Sequence, residues 1–136
     1  MTLTFLILVI VLGLIILVLI AKLSGKGPKR RLKKEYFEAR WMELLARVRT
    51  PDGMVLAVID ADKLLDEALK RRGFKGKTMG ERLVSAQRSL NDNDAVWYAH
   101  KLRNRLVHEP DIKLKKKEAQ TALAGFRQGL KDLGAL

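Results

Sequence analysis

Residues 3–21 are almost wholly Leu, Ile and Val, interrupted by polar or flexible residues only at Thr4 and Gly13. As a helix at about 1.5 Å per residue, such a run matches a hydrocarbon core of about 30 Å. A helix apolar on every side has no face to turn to water, and a small soluble domain cannot enclose one. Residues 1–23 are therefore read as a transmembrane helix. The rival reading is a cleavable signal peptide. It fails on three counts: no basic segment precedes the run, the run is too long, and no small-x-small site stands ahead of Lys22.

Charge gives the run a direction. No Lys or Arg precedes it, whereas Lys22, Lys26, Lys29, Arg30, Arg31, Lys33 and Lys34 follow with no acid among them. The positive-inside rule then predicts a single-pass cell-membrane protein with its N-terminus outside and the rest cytoplasmic. Those seven cations carry over half of the formal net charge of +12. Most of the basic excess thus reads as a topology signal and as contact with anionic lipid headgroups, not as nucleic-acid affinity. Residues 24–34 form a basic juxtamembrane linker, short and flexible through Ser24-Gly25-Lys26-Gly27-Pro28. The chain has no cysteine, which excludes disulfides and Cys-based zinc sites and fits a reducing compartment. Its two histidines fall on one helix, a poor basis for a metal centre, and no cofactor is expected.

Beyond the linker, over residues 35–136, the hydrophobic period becomes helical. Phe37, Trp41, Leu44, Leu45 and Val48 share one face. Thr50-Pro51-Asp52 supplies an N-cap, a proline at the first helical position and an acid in the first turn. The helix this opens ends at Gly73, with Met54, Val58, Ala61, Leu65 and Leu69 on its core face. Thr78 and Glu81 read as a capping box for a helix presenting Met79, Leu83, Ala86 and Leu90. Asn93 or Asp94 caps the next helix, and Pro110 stops it near His108. A last helix over about residues 115–133 aligns Ala119, Leu123, Phe126, Leu130 and Leu133 before Gly134. With no strand signal or repeat, the fold class is all-α: a transmembrane helix followed by a small bundle of five amphipathic helices.

Two polar residues disturb these apolar faces. Asp62 projects between the directions of Leu69 and Val55, and Arg103 lies at the edge of the stripe Ala95, Ala99, Leu102, Leu106. A buried charge needs a partner, so the two are expected to pair; the alternative is a solvated Asp62 at the rim. His100, Asn104 and His108 follow at i, i+4 spacing down the flank of the same helix. His108 would end that helix, where the dipole favours a cation.

The sequence Arg103-Asn104…His108 resembles the motif of the HEPN superfamily, in which an Arg and an adjacent polar residue precede a His by a few positions. The resemblance extends over roughly residues 32–134 and implies a small antiparallel HEPN-like helical bundle. It also implies a metal-independent endoribonuclease, in which a 2′-hydroxyl attacks the adjacent phosphorus and leaves a cyclic 2′,3′-phosphate. Arg103 would then contact the phosphate, His108 would act as acid or base, and Asn104 would orient the imidazole or hold a phosphate oxygen. A homodimer with both motifs on a shared cleft is implied in the same way, with RNA as partner and Lys101 and Arg105 as basic neighbours. The residues alone leave open a noncatalytic, membrane-tethered binding or scaffold module, which predicts an exposed apolar patch away from the motif.

Overall fold

The computed structural model describes residues 2–23 and 30–136, and every regular element among them is helical. The first helix, α1, spans Thr2–Leu23. Its segment Leu3–Lys22 has a mean hydropathy of 3.5 with none of it buried, so it is long and apolar enough to cross a membrane. Of the linker expected over residues 24–34, residues 24–29 lie outside the described residues, while Leu32 is already buried against the bundle and Lys34 begins the next helix.

Five further helices form the bundle: α2 (Lys34–Leu45), α3 (Pro51–Arg72), α4 (Met79–Ala86), α5 (Asn93–His108) and α6 (Lys116–Asp132). Local chemistry sets most of their ends. Thr50 caps α3 by accepting a hydrogen bond from the Gly53 amide, and Pro51 occupies the first position, where no amide donor is needed. At the other end Gly73 takes φ 89°, and Phe74 N–H reaches back to the Leu69 carbonyl. That left-handed turn strains any residue with a Cβ. The three lysines at the start of α6 are offset by Glu118, whose carboxylate accepts from the Lys115 amide at 3.0 Å.

Helix α3 is the axis of the bundle, with α2, α4, α5 and α6 all packed on it. It buries Ala57, Val58, Ala61, Leu65, Ala68 and Leu69 completely. Phe37 from α2, Leu83 from α4, Val96 from α5 and Phe126 and Leu130 from α6 close the core around it. Helices α5 and α6 approach closely at Gly125, where a Cβ would stand 2.6 Å from the Ala95 carbonyl oxygen. Two backbones meet there with no room for a side chain.

Three details depart from the sequence reading. The cap of α5 is Asp92, which accepts from the Ala95 amide at 2.9 Å, and not Asn93 or Asp94. Asn93 instead donates to the Gln87 carbonyl at 2.9 Å and to the Leu90 carbonyl at 3.3 Å, tying the start of α5 to the 3₁₀ turn (Gln87–Ser89) before it. In the Thr78 box, Glu81 answers the Lys77 amide in place of that of Thr78, one residue further back. Finally, Leu45, Val48 and Met54 are only half-buried, because no element among the described residues covers them.

Candidate functional site

Where α3, α5 and the start of α4 meet, an open cleft of about 470 Å³ is lined by Asp62, Lys63, Asp66, Met79, His100, Arg103 and Asn104, among others. Asp62 is 3 % exposed and His100 8 %. An aspartate buried this deeply on an apolar helix face must be answered by donors. His100 supplies one, its Nδ1 lying 2.7 Å from Asp62 Oδ1. An ionised carboxylate only accepts, so Nδ1–H is the donor to it, and in the neutral ring the lone pair then falls on Nε2. Trp97 meets the ring edge-on at 5.9 Å and holds it from the side.

Arg103 reaches the same carboxylate from the next turn of α5. Its Nε stands 3.3 Å from Asp62 Oδ2, close enough for an ion pair, yet this buried N–H completes no hydrogen bond. Its Nη1 donates to Asn104 Oδ1 at 2.9 Å. That bond turns the Asn104 amide nitrogen toward His100, 3.4 Å from Nε2. No hydrogen bond among the described residues engages Arg103 Nη2. The side chain is 25 % exposed, so the guanidinium keeps donors for a ligand while its stem is held.

One turn along α3, Asp66 completes the floor. Arg82 grips it through Nε at 2.6 Å and Nη2 at 3.0 Å, and Lys70 adds an ion pair at 2.9 Å. Burial pushes the Asp66 carboxyl upward, but the hydrogen bonds and charge of Arg82 and Lys70 prevail and hold it below its ordinary 3.8. Arg82 also donates to the Gly76 carbonyl at 2.6 Å, which pins the loop before α4 beside the cleft. Each cleft carboxylate is thus matched or outnumbered by cations, with Lys63 added at the rim. The lining itself is balanced, Asp62 and Asp66 against Lys63 and Arg103, so an anion meets no net repulsion there.

Of the residues singled out from sequence, the structure brings Asp62, Arg103 and Asn104 together. It does not bring His108 to them. His108 is exposed at the last residue of α5, off the cleft, and its side chain makes no hydrogen bond or ion pair among the described residues. Lys101 and Arg105 are also exposed and do not line the cleft. The imidazole in the site is His100, two helical turns earlier. Its signal lay in the i, i+4 series shared with Asn104, but helix spacing does not say which neighbour the flank faces. No protein-family model, curated protein or solved structure matches the chain.

Proposed function

We propose that this protein is a membrane-tethered, metal-independent endoribonuclease whose acid–base group is His100. One observation carries the reading: a buried carboxylate fixes His100 Nδ1–H at 2.7 Å, in a cleft shared with an arginine that retains free donors. The Asp–His pair leaves the Nε2 lone pair facing the cleft, the atom that general-base chemistry needs. Arg103 neutralises the phosphodiester and the charge that builds on the phosphorane. His100 Nε2 takes the 2′-hydroxyl proton, the 2′-oxygen bonds to phosphorus, and the 5′-oxygen leaves with a proton from water. The products are a 2′,3′-cyclic phosphate and a 5′-hydroxyl. Asn104 holds the imidazole edge until substrate displaces it.

The Arg103-Asn104…His108 motif and the helical bundle support the same reaction class through their resemblance to HEPN ribonucleases. There a second copy would bring the exposed His108 to a shared cleft. The charge pattern around α1 supports a cytoplasmic bundle with the N-terminus outside, facing anionic headgroups through the basic linker. Protease added to intact cells then leaves the bundle whole, and digestion of it from outside reverses the orientation.

The full chain, purified in detergent, is incubated with mixed RNA and chelator, beside His100→Ala and His108→Ala. Loss of a positioned acid–base group costs about 10²–10⁴ in rate. His100→Ala is expected to lose cleavage on that scale while His108→Ala retains it. Loss confined to His108→Ala moves the chemistry to a paired arrangement of two copies. Equal cleavage by all three, or none by wild type, rejects the ribonuclease reading in favour of a binding module, which the apolar groove described next also favours.

A further inference from the structure

On another side of the bundle, α2 and α6 both pack on α3 with an apolar groove of about 300 Å³ between them. One wall is Trp41, Leu45 and Val48, at i, i+4 and i+7, with Met54 beside them. The other is Ala119, Leu123 and Ala124 of α6. Leu45, Val48 and Met54 have the pattern of core residues but are left half-covered. Lys116 and Arg127 stand at opposite ends of the α6 wall, and no acid lines the groove. Eleven residues of helix place those cations about 16 Å apart.

We infer that this groove docks an acidic amphipathic helix of a partner protein. Such a helix, about three turns long, lays apolar residues at i, i+3, i+4 and i+7 between the two walls and sets a carboxylate near each end, against Lys116 and Arg127. The charge pattern selects among occupants. A symmetric second copy would place the same surface against itself, Lys116 and Arg127 facing their own kind with no acid to relieve them. An anionic lipid carries its charge at one headgroup, whereas the two cations here flank both ends of the apolar floor. The groove is separate from the cleft around Asp62, and the inference does not depend on cleavage of RNA.

The full chain is reconstituted in nanodiscs of zwitterionic phospholipid and titrated with a fluorescent synthetic helix of about 16 residues, leucine-faced with glutamates near its ends. A matched peptide with lysines for the glutamates is the control. The acidic peptide is expected to bind, more weakly as salt rises, and the lysine peptide to bind at least about tenfold less tightly. Lys116→Glu with Arg127→Glu reverses the preference. Ala124→Arg, at an exposed helical position, blocks both peptides while the thermal melt stays unchanged. Four results overturn the inference: no binding of the acidic peptide, equal binding of the two peptides, no response to charge reversal, or displacement of the acidic peptide by a soluble short-chain anionic phospholipid added to the titration. Self-association of wild type that Ala124→Arg abolishes overturns it also, and assigns the groove to a second copy.

Discussion

Asp62 and Asp66 sit one turn apart on α3 and look into the same cleft, yet they are held in opposite ways. Asp66 meets a fork: two nitrogens of Arg82 at 2.6 and 3.0 Å, with Arg82 itself tied to the Gly76 carbonyl. Each nitrogen of that guanidinium is committed to the fold. Asp62 meets an imidazole at 2.7 Å and a guanidinium that touches it through a single N–H completing no hydrogen bond. Its partners are positioned without being used up. A bidentate arginine pair fixes geometry; a carboxylate shared by an imidazole and a half-engaged arginine orients groups that still have bonds to offer. The first arrangement is structural and the second suits a reaction.

The sharpest way to break this contrast is to remove each arginine in turn. Arg82→Ala leaves Asp66 without its fork and the Gly76 carbonyl without its donor, and is expected to cost about 2–3 kcal/mol. Urea unfolding followed by tryptophan fluorescence reads this directly, since Trp41 and Trp97 both lie in the bundle. Arg103→Ala is expected to cost about 1 kcal/mol, because Asp62 keeps His100 and the arginine is partly solvated. If the two variants unfold at the same urea concentration, the distinction between committed and available partners is wrong.

The smallest signal is the acid limb of stability. The Asp66 carboxyl is held below its ordinary 3.8 in the folded protein by Arg82 and Lys70, against the opposing effect of burial. A depressed carboxylate stabilises the fold above the unfolded value and loses that contribution as pH falls through the lower folded value. Wild type is therefore expected to lose stability as pH drops below about 4, and Asp66→Asn to show a flatter acid limb. Equal slopes for the two proteins would place the acid response elsewhere.

What could be read from the sequence follows the range of the forces involved. Thr50-Pro51 and Gly73 mark the ends of α3 because capping and left-handed turns depend on a few adjacent residues. The proximity of Asp62 and Arg103 was legible for a different reason: each is a charge inside an apolar arc, and burial demands an answer. The place of His100 was not. It lies on the flank of its helix, and the period gives a side chain its direction without naming the helix it meets. Leu45, Val48 and Met54 show the same limit from the apolar side. Periodicity marks them for burial, but whether another element arrives to cover them is decided by where α2 and α6 settle on α3.

Asp62 and His100 are separated by 38 positions in the chain. In the unfolded polypeptide the two ring nitrogens of that imidazole are near equals, exchanging one proton with water and pointing nowhere in particular. Docking α5 onto α3 ends the equivalence: one nitrogen is claimed by the carboxylate and the other is turned toward the cleft. What the bundle manufactures is an oriented lone pair, an asymmetry that exists only while two distant stretches of chain remain together.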